Sequence, residues 1–127
     1  MKYVFLSQGI YYVLSGLWPL VHIQSFLAVT GPKTDIWLVK TVGVLVTVIG
    51  LVLISAGARR KGDVEFFVLG ILAAICLAFI DLFYVFQGII SQVYCWDALV
   101  EFVLAALLSF HLYKRAHPED EKQLPLP

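Results

Sequence analysis

Four apolar stretches govern this sequence: Tyr3 to about Val21, Ile36 to Ala58, Val64 to Phe86, and Gln92 to Tyr113. Each is long enough to cross the roughly 30 Å hydrocarbon core of a bilayer as an α-helix, for which about 20 residues suffice. Hydrophobic residues fill 61% of the 127 positions and charged residues only 14%. A compact fold of this composition exposes an apolar surface that lipid tolerates and water does not. The expected fold class is therefore all-α, an integral membrane four-helix antiparallel bundle. It forms one transmembrane domain over 1–116, and the charged, proline-rich tail 117–127 is expected to be disordered. The first stretch is expected to remain as a helix rather than act as a cleaved signal. Gln8, Tyr11-Tyr12 and Trp18-Pro19 interrupt an apolar signal core, and no small-residue cleavage site follows.

Charge matters by position here, because the formal net charge is zero. Lys2, Arg59, Arg60, Lys61, Lys114 and Arg115 flank one set of span ends, and only Lys33 lies in the loops opposite. Cytoplasmic loops carry the excess of Lys and Arg, so both termini are expected in the cytoplasm and the protein in a bacterial inner membrane. Trp18, Trp37, Tyr84, Tyr94 and Trp96 then gather near the outer boundary, where amphipathic rings favour the headgroup level. No basic cluster of the kind that binds nucleic acid is present. The longest connection, His22 to Asp35, is only weakly polar and is expected to fold back on the bundle as an interfacial segment. Gly31-Pro32 marks a turn within it, and Thr34 or Asp35 suits the N-cap of the second span.

Lipid provides no hydrophobic drive for helix association, so small residues must let the helices pack closely. Gly43, Gly50 and Gly57 recur every seven residues, and Gly70, Ala74 and Ala78 every four. Gln8, Tyr11, Ser15, Trp18 and His22 share one face of the first span, as Asp97, Glu101, Ala105 and Ser109 do in the fourth. All four stripes are expected to face inward.

These stripes bring the ionisable residues to one level. At about 1.5 Å of rise per residue, Lys40 lies about 6 Å inside the outer boundary, Asp81 and Asp97 about 7 Å and Glu101 about 13 Å, with His22 at the boundary. An isolated charge inside a span costs about 2.5–3.5 kcal/mol on insertion scales, which argues for mutual pairing or water. Lys40 is the expected partner of the acids, and three carboxyls against one Lys and one His should titrate as a coupled unit. The expected ligand-binding set is Gln8, Trp18, His22, Trp37, Lys40, Asp81, Asp97 and Glu101, with Asp81 and Glu101 as candidate catalytic acids or bases.

Other signals are weaker. His22, Asp97 and Glu101 offer a single imidazole without a ligand motif, so no metal is expected. Cys76 and Cys95 sit at different depths and read as packing residues, as do Tyr11, Tyr12, Phe83 and Phe86. Neither a phosphate loop, a nucleophile elbow nor a His-Glu-x-x-His string is present.

The string His22-x-x-Ser25-Phe26-x-x-Val29-Thr30-Gly31-Pro32-Lys33-Thr34-Asp35-x-Trp37-Leu38-Val39-Lys40 resembles that of small, functionally uncharacterised four-helix proteins of the bacterial inner membrane. In length and span count the chain is also remotely similar to the DoxX-like group. That likeness implies an envelope redox setting with quinones and transfers no residue. The small multidrug transporters share the size but use a glutamate in the first span, where this chain has Gln8.

The favoured expectation is a polar pocket in the outer third that binds a lipophilic small molecule such as a lipid or quinone, with no other cofactor. The alternatives are a membrane enzyme acting on a lipophilic substrate through carboxylate acid/base groups, and a structural or accessory subunit. Expected partners are membrane lipids and a homo-oligomer or a membrane-complex partner.

Overall fold

The computed structural model describes residues 2–60 and 62–117, and the described residues are helical and joined by turns, with no strand. The elements are α1 (Lys2–Val21), α2 (Ile23–Thr30), α3 (Ile36–Ala58), α4 (Val64–Phe86) and α5 (Tyr94–Ala116). Of the expected tail, all but His117 lies outside the described residues. By length and composition α1, α3, α4 and α5 can each cross a membrane, with mean hydropathies of 1.3, 2.4, 2.7 and 1.6. Only 17–33% of each span is buried within the chain. The remaining faces, bearing Leu14, Leu45, Leu51, Leu72 and Phe79, need an apolar solvent.

Glycine fixes the α1–α3 contact. A methyl group on Gly50 would stand 2.7 Å from the Gly9 carbonyl oxygen, one on Gly43 2.6 Å from that of Gly16, and one on Gly57 3.1 Å from that of Lys2. The glycine row noted in α3 thus meets a second row in α1, Gly9 and Gly16, at the same seven-residue spacing. As the position rises along α1 its partner falls along α3, so these two helices run in opposite directions. Close backbone approach supplies the dispersion contacts that a lipid-embedded pair requires.

α4 packs along α5 by the same logic with different residues. Phe67, Gly70, Ala74, Ala78 and Asp81 form the buried face of α4, and Ala98, Glu101, Leu104, Ala105 and Leu108 that of α5. At Gly70, Leu108 from α5 and Gln8 from α1 both press in, and an added methyl would lie 2.6 Å and 2.8 Å from them. The two pairs meet chiefly through a core of Val4, Phe5, Tyr12, Leu53, Phe67 and Leu108, with the Phe5 and Phe67 rings 4.9 Å apart.

The segment expected to fold back contains α2. His22 leaves helical geometry at φ −145°, ψ 81°, and its Nδ1 accepts a hydrogen bond from Ser25 N at 3.1 Å as the N-cap of α2. The Trp18 indole donates to Ser25 Oγ at 2.9 Å and meets Phe26 edge-on at 5.4 Å, holding α2 against α1. Gly31 ends α2 at φ +100°, a left-handed backbone that glycine adopts without strain. Asp35 occupies the N-cap position of α3 without a side-chain capping bond.

Several expectations need correction. The buried face of α1 is Val4, Phe5, Gln8, Gly9, Tyr12, Gly16 and Pro19, not the full row from Gln8 to His22. Packing of Gly9 and Gly16 against α3 sets the rotation of α1, leaving Tyr11 and Ser15 half-buried and Trp18 37% exposed. Ser109 is exposed because Leu104 and Leu108 take the interior face of α5. Cys76 and Cys95 are free and exposed rather than packed. α5 begins at Tyr94 rather than Gln92, since Tyr94, Cys95 and Trp96 donate to carbonyls three residues back and tighten the entry.

Gly50→Val should lower stability in mild detergent by about 1–3 kcal/mol, because neither backbone can give way. Val48→Leu, at a position 51% exposed on the same helix, should not. Thermal unfolding followed by circular dichroism separates the two outcomes.

Candidate functional site

The helix pairs close at the Phe5–Phe67 end and part at the other. Between them lies a cavity of about 900 Å³, lined from α1 by Tyr11, Tyr12 and Ser15, from α3 by Val39, Val42 and Val46, from α4 by Leu77, Asp81 and Tyr84, and from α5 by Tyr94, Asp97 and Glu101, among others. Phe26, Val29 and Thr30 of α2, Lys33 and Asp35 after it, and Ile89, Ile90 and Val93 after α4 complete the wall. The side chains lining most of it are apolar. The polar groups are concentrated where α1, α4 and α5 face one another.

Tyr11 and Tyr12 reach across from α1 to the acids of α5. The Tyr12 hydroxyl donates to Glu101 Oε2 at 2.6 Å, and that of Tyr11 donates to Asp97 Oδ1. Gln8, one turn before Tyr12 and fully buried, donates from Nε2 to the Tyr12 oxygen at 3.1 Å and to the Gly70 carbonyl at 2.9 Å. A chain of donors thus runs from the Gln8 amide through Tyr12 to Glu101, which is 1% exposed. Hydrogen bonds of this kind offset part of the cost of placing a carboxyl group away from water.

Asp81 is differently placed. It is 6% exposed and lines the cavity from α4, facing the same space as Asp97 and Glu101 of α5. Its Oδ2 is buried and has no donor among the described residues. Carboxyl groups sharing a site are stable together only when a proton or another donor lies between them. Asp81 Oδ2 is thus the acceptor at this end that no donor of the described residues reaches.

The structure brings Asp81, Asp97, Glu101 and Trp18 to the cavity, with Gln8 in contact through Tyr12. His22, Trp37 and Lys40 do not line it. Lys40 shares its face of α3 with Val44 and Leu51, all exposed, while Val39, Val42 and Val46 face the cavity. One residue of helix turns a side chain by about 100°, so correct depth did not bring Lys40 to the acids. His22 is exposed and engaged in capping α2, apart from Asp97 and Glu101. Trp37 is 67% exposed on the outside of α3.

Among the described residues Lys33 is the cation that lines the cavity. Its Nζ donates to Thr30 Oγ1 at 2.8 Å and to the Gly31 carbonyl at 3.2 Å, and lies 5.1 Å and 5.3 Å from the ring centroids of Phe26 and Tyr94. From the sequence Tyr11 and Tyr12 read as packing residues and Lys33 as an outer-loop charge, so none of the three stood in the expected ligand-binding set. The spacing of Gln8 and Tyr12, four residues apart on one helix face, is the signal that could have found the tyrosine.

A double-mutant cycle with Tyr12→Phe and Glu101→Gln should return a coupling of about 0.5–3 kcal/mol in detergent unfolding, as for groups sharing one buried hydrogen bond. Additive effects would place the two residues in separate networks.

Comparison with known protein families, with curated proteins and with solved structures finds no match for the chain.

Proposed function

We propose that this protein binds a lipophilic small molecule, its polar end at the Asp81–Asp97–Glu101 cluster and its apolar body between the helix pairs. The observation that carries the reading is the cavity of about 900 Å³ whose apolar walls end on three carboxyl groups. Its volume falls within the roughly 300–1,000 Å³ of small-molecule sites, and such sites combine apolar lining with a few convergent polar groups. A lipid or a quinone has the required shape. The Tyr11–Asp97 and Tyr12–Glu101 bonds also serve a structural role, since they link α1 to α5.

The protein sits as an antiparallel four-helix bundle in a bacterial inner membrane, both termini cytoplasmic and the cavity opening toward the outer face. The charge bias supports this orientation, with Arg59, Arg60, Lys114 and Arg115 at one set of helix ends.

Native mass spectrometry of protein extracted in mild detergent should report a bound lipophile. Leu77→Trp, which fills the cavity, should release it, and Val48→Trp on an exposed face should not. A ligand-free wild-type spectrum, or unchanged occupancy in Leu77→Trp, would overturn the binding reading.

In a background with Cys76 and Cys95 replaced by Ser, a membrane-impermeant maleimide applied to intact spheroplasts should label Gln87→Cys and leave Arg60→Cys unlabelled until the cells are opened. The reverse pattern would invert the orientation.

A further inference from the structure

We propose that the polar end of the ligand is a protonated amine, so that the site takes a lipophilic cation rather than an anionic lipid or a quinone. This rests on the cavity being a binding site and concerns only the chemistry of what it holds.

The donor and acceptor inventory at the acidic end carries the inference. Tyr11 and Tyr12 each have one hydroxyl hydrogen, and these are spent on Asp97 and Glu101. The two amide hydrogens of Gln8 go to Tyr12 and the Gly70 carbonyl. The donors of Tyr11, Tyr12 and Gln8 are therefore committed to the protein's own acceptors. A phosphate, a carboxylate or a quinone carbonyl brings only acceptors and would meet carboxylate oxygens.

Asp81 asks for the opposite partner. It faces the same space as Asp97 with its buried Oδ2 lacking a donor among the described residues, so a group that brings both hydrogens and positive charge satisfies the pair at once. The charge balance of the lining agrees, since among the described residues Asp35, Asp81, Asp97 and Glu101 are set against Lys33 alone. Lys33 is held by Thr30, Gly31 and two aromatic rings rather than by the acids. Trp18, Tyr94 and Trp96 on the wall add aromatic surface of the kind that attracts cations.

The test uses four probes whose chains match in length: N,N-dimethyldodecylamine, dodecanol, dodecyl phosphate and a dodecyl-substituted benzoquinone. Each is titrated into the full-length protein in maltoside detergent, and binding is read by tryptophan fluorescence and by the shift in unfolding temperature. The amine should bind about tenfold or more tightly than the alcohol, the factor that one charge-assisted hydrogen bond confers. Asp81→Asn, which keeps the side chain's shape, should reduce that preference to the level of the alcohol. Asp97→Asn provides the same reading should the first variant not fold.

Equal binding of amine and alcohol, or preference for the phosphate or quinone, would overturn the cation proposal while leaving the cavity as a lipophile site. Retained amine preference in both variants would overturn it as well. If none of the four probes binds, the binding reading itself falls.

Discussion

A carboxylate inside an apolar bundle must be given hydrogen-bond donors, and in this protein they come from another helix. Glu101 is almost fully buried on α5, yet its partner is the Tyr12 hydroxyl of α1, which Gln8 in turn holds in place. Tyr11 does the same for Asp97. Because α1 packs chiefly on α3 and α5 on α4, these bonds join one tight helix pair to the other. The polar groups that look most expensive in the sequence thus set how the two halves of the fold stand together.

Glycine makes this possible from the other side. The contacts of Gly9 with Gly50 and of Gly16 with Gly43 leave no room for α1 to rotate against α3. With that rotation fixed, Gln8 and Tyr12 point into the bundle while Trp18 turns toward α2. Closure at Phe5, Phe67 and Leu108 and separation at the other end then follow, since no comparable row of small residues joins α3 to α4. The cavity is the space that this unequal packing leaves.

The acids and the cation of the cavity differ in how they are held. Lys33 has its own oxygens and aromatic faces, and the carboxylates have their tyrosines. Asp81 stands outside both arrangements, and the proposed ligand chemistry follows from that position. A site of this kind combines apolar contact for affinity with a single well-placed charge for selectivity.

The sequence by itself determined four helices able to cross a membrane, the small-residue faces Gly43-Gly50-Gly57 and Gly70-Ala74-Ala78, and the convergence of Asp81, Asp97 and Glu101. Hydropathy, spacing and the fixed rise of a helix are local properties, so they can be read along the chain. Tertiary structure decided which of the polar residues meet. Lys40 was placed at a suitable depth by counting, yet it faces away from the acids, because the azimuth of α3 is set by where its glycines find α1. Tyr11 and Tyr12 entered the site for the same reason, and Lys33 because the connection from α2 to α3 lies against the cavity. Rotation of a helix about its own axis depends on its neighbours, and no count of residues along one chain contains it.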